Sequence, residues 1–226
     1  MKSYRYELHF HTSEVSGCAK VPACEAVLQY HRLGYAGVVV TDHYYQSLFA
    51  KMPYPTWPEK VSAYLTGYER ARSVGEQHGM TVLLGMEIRF PENNNDYLVY
   101  GISPDFLLGQ PELQDLSLKT FQAIARENGL LVYQAHPFRN TMTIMHPHLL
   151  DGLEILNGNP RHVARNDIAA QWASQHELLG IAGSDFHQIG DEGLAGIATT
   201  EPIRNNQDLL RILKSQSYTI YTGYTG

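Results

Sequence analysis

The stretch Glu7-Leu8-His9-Phe10-His11-Thr12 decides how this chain is read. In a β-strand, residues two apart point to one face, so His9 and His11 stand side by side. Two neighbouring imidazoles are half of a metal site. Matching fragments close later apolar runs: Thr41-Asp42-His43, Gly85-Met86-Glu87, Ala135-His136-Pro137 and Ser184-Asp185-Phe186-His187. Each puts a nitrogen or oxygen ligand directly after a run that reads as strand. A lone His-x-His pair is a weak signal, but ligand-bearing strand ends distributed along the whole chain are a strong one.

Along the chain, strand-like and helix-like segments alternate. Residues 4–11 read as strand. Residues 22–33 read as helix, with Pro22 at the start, Ala23, Val27 and Tyr30 on one face, and Gly34 as the stop. A buried strand at 37–41 leads to a long helix over 59–78, striped by Val61, Tyr64, Tyr68 and Ala71. Strands follow at 80–90 and 96–101, then a helix capped by Ser117 and closed by Gly129. Residues 130–134, 153–156 and 179–182 read as buried strands, with a helix over 165–176 turning Ile168 and Trp172 inward. A helix over 206–214 and a short Tyr-rich strand end the chain. Near-continuous apolar strands alternating with helices indicate a parallel sheet covered on both faces. Because candidate ligands come from nearly every strand end, a distorted (β/α) barrel fits better than an open sheet: a barrel gathers those ends at one mouth. No change of composition divides the chain, so residues 1–226 are expected to form one domain. Residues 53–58 read as a rigid loop over the mouth and residues 91–95 as a polar turn.

The chain has 226 residues, 43% of them hydrophobic and 18% charged, with a net charge of -6. It is long enough to bury a core without staples. The negative balance argues against non-specific affinity for duplex nucleic acid. No apolar run approaches ~18 residues, so no transmembrane helix is expected, and residues 1–5 run into a strand without a signal-peptide core. Cys18 and Cys24 have neither zinc-site spacing nor the numbers for a disulfide framework, so a cytoplasmic location is expected.

His-x-His near the start, Thr-Asp-His, Gly-x-Glu, His-Pro and a late Ser-Asp-x-His, in this order along the whole chain, resemble the PHP (polymerase and histidinol phosphatase) superfamily. The resemblance implies an α/β fold, a distorted (β/α)7 barrel with a di- or trinuclear metal centre at the C-terminal ends of its strands. It assigns metal-ligand positions to His9, His11, His43, Glu87, His136, Asp185 and His187, with Glu87 as the bridging carboxylate. Two positions depart from the pattern. Ser16 stands where many relatives carry an aspartate that helps hold a third metal, with Glu14 nearby as a substitute ligand. Asp96 stands where many carry a histidine.

Imidazole and carboxylate ligands together suit Zn²⁺, Mn²⁺ or Fe²⁺, and two or three such divalent ions are expected as cofactors. Two cations ~3.5–4 Å apart lower the pKa of a bound water towards 7 and stabilise the charge that develops at phosphorus. The expected catalytic residues are Glu87, Asp185 and His187. The expected partner is a small phosphorylated substrate held by Arg89 and Arg139, which follow Glu87 and His136 closely and whose forked guanidinium matches phosphate. Arg161 and Lys20 are weaker candidates. Asn157 lies at a strand end and is a further substrate-binding candidate, although Asn-Gly also suits a turn. Glu154 and Asn157 alternate so that only one is expected to face the mouth.

A single histidine is more often structural than a ligand, and His31, His78, His146, His148 and His176, away from strand ends, are read that way. Asp42 either orients a ligand imidazole or caps a helix. Cys18 is expected to be a small packed thiol, and Tyr44, Tyr45 and Tyr54 to line the pocket rim. The resulting reading is a metal-dependent phosphoesterase. The alternatives are histidinol-phosphate phosphatase, or a metal-bound binding module without catalysis.

Overall fold

The computed structural model describes residues 3–223; Met1 and Lys2, which open the N-terminal stretch read above, lie outside them. In chain order the elements are β1 (Tyr4–Phe10), α1 (Ala23–Arg32), β2 (Gly37–Val40), β3 (His43–Tyr44), α2 (Gln46–Lys51), α3 (Trp57–Gln77), β4 (Thr81–Arg89), β5 (Asp96–Tyr100), α4 (Pro104–Gly109), α5 (Leu118–Glu127), β6 (Leu131–Gln134), β7 (Gly152–Asn157), α6 (Asn166–Gln175), β8 (Leu179–Gly183), β9 (Ala195–Thr199), α7 (Asn206–Ser215) and β10 (Thr219–Thr222).

The strands form one sheet in the order β10-β9-β1-β2-β4-β5-β6-β7-β8, with β3 added against β4. The sheet bends round until its two sides almost meet. The amide of His11 donates to the carbonyl of Phe186 at 3.1 Å, and the amide of Phe186 to the carbonyl of His9 at 3.1 Å. The first half of β1 pairs instead with β9. The barrel is therefore closed at the end that carries the histidines and split at the other end by the antiparallel β9–β10 pair. Gly183 permits the closure: a Cβ there would lie 2.4 Å from the Cβ of His9.

The expected α/β barrel is what forms, but the sheet is not wholly parallel. β5 runs antiparallel to both β4 and β6. The reason lies in the short turn at 91–95, because a parallel return needs a crossover of a dozen or more residues. In α6 the buried face is Ala169 and Ala173, not Ile168, which is 40% exposed; Trp172 is half-buried against the core. Residues 53–58 do not cover the mouth. Trp57 pins their end by donating from Nε1 to the carbonyl of Leu107 at 2.8 Å. Pro53 and Tyr54 line a separate hollow with Glu14 and Arg70.

Candidate metal centre

β1 and the residue that follows it turn His9 and His11 to the barrel interior, both fully buried, while Glu7, before a register shift in β1, is buried on the α1 side against Tyr30. β3 and β4 pair in register so that His43 lies opposite Glu87. His136 follows β6, and Asp185 and His187 follow β8. These seven expected ligands come together. Oε1 of Glu87 lies 3.2 Å from Nε2 of His9 and 3.3 Å from Nε2 of His136. Its Oε2 lies 3.3 Å from Nε2 of His11 and 2.8 Å from Nδ1 of His43. Oδ1 of Asp185 lies 3.4 Å from Nε2 of His9 and 3.6 Å from that of His11. Four ligands ~2.1 Å from a common ion sit roughly 3.4 Å apart, so the spacing is that of a coordination cage. Both oxygens of Glu87 and the Nδ1 atoms of His43 and His136 are buried without a hydrogen-bond partner. Among the described residues, clustered donors form four overlapping groups: His9, His136 and Asp185; His9, His11 and Glu87; His11, His43 and His187; His43, Glu87 and Asp96. The residues fit divalent cations, and more than one.

An outer layer fixes the ligand atoms. Glu154, buried on β7, accepts from Nδ1 of His9 at 2.9 Å and from the amide of His136 at 2.9 Å. That leaves Nε2 of His9 as the free lone pair facing Glu87 and His11, the usual effect of a carboxylate behind a ligand imidazole. Ser16 does the same for His11: its Oγ accepts from Nδ1 of His11 at 3.1 Å and from the amide of His43 at 3.0 Å, and donates to Asp42 at 2.7 Å. Asp42 therefore orients a ligand imidazole, through Ser16, and also accepts from the amide and hydroxyl of Thr12. Asp185 is gripped from outside by Arg139, whose Nη2 donates to Oδ2 at 2.6 Å. His136 and Asp185 both have positive φ, 30° and 52°. Such a conformation costs a non-glycine residue about 1–3 kcal/mol, and strain of this kind concentrates at functional sites.

The cage calls for positive charge. Burial pushes the carboxyls of Glu87 and Asp185 up, but the adjacent imidazoles, His9 first, hold both well below the usual carboxylate range. Burial disfavours a charged His9, yet Glu154, Asp185 and Glu87 together raise it well above the usual imidazole range. Glu7 differs: burial raises it to about 7, even though it accepts from the amides of His9 and Ser184 and from the hydroxyl of Tyr30.

Other expectations fare unevenly. Glu14 stands apart from the cage: it accepts from the amide of Ala23, serving as the cap that Pro22 cannot provide for α1, and pairs with Arg70. Asp96 stays at the edge of the cage, where Arg89 donates to both its oxygens at 2.8 and 2.7 Å. Asn157 faces the site as well as Glu154, because the β7–β8 register shifts between Glu154 and Leu156. It donates to Glu154 and Asp185 and accepts from Arg139. Tyr44 is fully buried in the core, and of the three rim tyrosines Tyr45 is the one beside His43, 5.6 Å between ring centroids. Cys18 is not packed but exposed at the mouth, where it lines the cavity beside His43 and His187. Burial pushes its thiol up, and His187 and His43 outweigh that and bring it down to about 5. His31, His78, His146, His148 and His176 join none of the clustered donors among the described residues.

The mouth opens into a cavity of about 330 Å³ lined by Glu87, His136, Asp185, His187, Arg89 and Arg139, with Lys20, Arg161 and His162 further out. A second hollow of about 500 Å³ meets it at Cys18, His43 and Arg89.

The PHP domain family profile matches residues 7–218. No curated protein sequence matches the chain. Among solved structures, a two-domain protein from Bacteroides vulgatus containing a predicted PHP-like metal-dependent phosphoesterase aligns with a TM-score of 0.72 at 17% identity, over 98% of this chain and 65% of its own. The present chain thus spans under two thirds of that protein. PsfC from Pseudomonas syringae aligns with a TM-score of 0.68 at 15% identity, over 98% and 92% of the two chains. An amidohydrolase from Chromobacterium violaceum, with bound sulfate and no metal, aligns with a TM-score of 0.59 at 15% identity, over 97% and 98%. At these identities the likeness is one of fold.

Proposed function

The chain belongs to the PHP domain family, and from that premise we propose that it hydrolyses a phosphate ester of a small metabolite at a centre of two or three divalent cations. The observation that carries the reading is the division of Glu87: one oxygen faces His9 and His136, the other His11 and His43. A carboxylate placed in this way serves two cations at once. When bound, the cations supply an acidified water and neutralise charge on the phosphoryl oxygens. The chain's own residues hold and aim that chemistry. His9, His11, His136 and Asp185 line the buried side of the cage, and His43 and His187 its open side. The His11, His43 and His187 group supports a third cation. Glu87, Asp185 and His187 are the catalytic residues in this reading. Arg139 and Asn157 hold Asp185 in place. Arg89 and Asp96, paired at the rim, border the path of the substrate. No helix among the described residues is long and apolar enough to cross a membrane. The two free thiols fit a reducing, cytoplasmic setting.

Metal content tests the reading. Elemental analysis of protein purified without chelator is expected to give at least two divalent ions per chain, since seven donors exceed what one ion with open positions needs. One ion or none, persisting after reconstitution with Zn²⁺ or Mn²⁺, would contradict it.

A further inference from the structure

Four cationic side chains line the cavity over the metal cage: Lys20, Arg89, Arg139 and Arg161. The three guanidiniums are each committed to a carboxylate. Arg89 forks onto Asp96, Arg139 holds Asp185 at 2.6 Å, and Arg161 forks onto Asp191. Lys20 differs. Its Nζ donates to the amide oxygen of Gln188 at 2.8 Å, a neutral partner, so its charge is not cancelled. Its position is fixed as well, because its backbone amide donates to the carbonyl of His187 at 2.7 Å, tying the loop after β1 to the ligand loop after β8. The ammonium is thus carried on a short tether beside His187.

We propose that Lys20, held by Gln188, is the cation that receives the phosphoryl group of the substrate, while the arginines of the mouth serve to neutralise and orient carboxylates. This rests on the phosphoesterase reading for its substrate class. Charge balance favours the lysine. An arginine already forked onto a carboxylate offers an incoming dianion little net attraction, whereas an ammonium on an amide exchanges a weak partner for a charge-assisted one. Gln188 keeps the lysine in place without competing for its charge.

The test is calorimetric titration of the Zn²⁺- or Mn²⁺-loaded protein with inorganic phosphate, alongside kcat/KM on a phosphoester. Lys20→Ala is expected to weaken phosphate binding about tenfold with unchanged metal content, the size of one charge-assisted contact at a partly exposed site. Lys20→Arg should stay near wild type. Gln188→Glu is the decisive variant: it gives Lys20 a carboxylate partner like those of the three arginines, so phosphate should bind about as weakly as in Lys20→Ala while thermal stability is kept. A purely structural lysine would tolerate or gain from that new ion pair. Phosphate affinity within twofold of wild type in Lys20→Ala, unchanged or tighter binding in Gln188→Glu, or no phosphate binding by the loaded wild type overturns the proposal. A wild type that binds phosphate through Lys20 and hydrolyses no ester leaves the Lys20 site standing and removes the phosphoesterase reading instead.

Discussion

Nη2 of Arg139 lies 2.6 Å from Oδ2 of Asp185, on the side of the carboxylate away from His9 and His11. The guanidinium thus sets the angle at which Asp185 presents its other oxygen to the cage. Arg139→Ala is expected to weaken metal retention, not only substrate handling. Partners behind a ligand are worth about 10–100-fold in metal affinity or activity. Competition with a graded chelator measures it, and wild-type metal retention in the variant would show that Asp185 needs no such support.

Glu154 supports the opposite side of the cage through Nδ1 of His9 and the amide of His136. Glu154→Gln keeps the shape and removes the charge that fixes the His9 tautomer. A loss of about 10–100-fold in metal affinity is expected, with His9 the affected ligand. Proton NMR of the imidazole N–H signals in the metal-loaded protein reports the tautomer directly. An unaltered His9 signal together with unaltered affinity would reduce Glu154 to a packing residue.

Glu7 is a matter of stability. Its Oε1 takes the amides of His9 and Ser184 where β1 leaves β9 and meets the end of β8. Glu7→Ala strands two buried amide donors at that seam, each costing about 1–3 kcal/mol, so a destabilisation of about 2–6 kcal/mol is expected in denaturant unfolding, besides the buried Tyr30 hydroxyl that also loses its acceptor. Glu7→Gln keeps an acceptor oxygen for both amides and should lose much less. Equal losses in the two variants would mean that the seam depends on the charge of Glu7 and not on its acceptor.

Much of this was legible in the sequence, because period-two spacing and ligand types at strand ends are local signals. The seven clustered ligands follow from them, whereas Glu7, two residues before His9, is turned to the α1 side by a register shift in β1 that strict alternation does not foresee. What was not legible depends on long-range geometry. The β7 irregularity that turns both Glu154 and Asn157 to the site defeats strict alternation. Ser16 becomes a hub only because Asp42, far along the chain, returns to it. The carboxylates on Arg89, Arg139 and Arg161 cancel charges that the sequence shows as free, and Glu14 is drawn off by the uncapped start of α1. β9, the Ala-Gly-Ile-Ala-Thr stretch, has too few β-branched or aromatic residues to read as a strand and is held by pairing on both sides.

The most direct measurement is hydrolysis of a phosphoester panel by metal-loaded wild type and Glu87→Gln, with metal content and thermal unfolding recorded on the same samples. Glu87 is 1% exposed, and its two oxygens face different imidazole pairs. The amide keeps the shape but loses the charge that would hold two cations together. The expected result is turnover in the wild type, its loss by at least about 10³-fold in Glu87→Gln, weaker retention of the second ion, and a folded barrel in both. A fully metallated wild type that hydrolyses nothing, or a Glu87→Gln variant that keeps full activity with both ions bound, would contradict it.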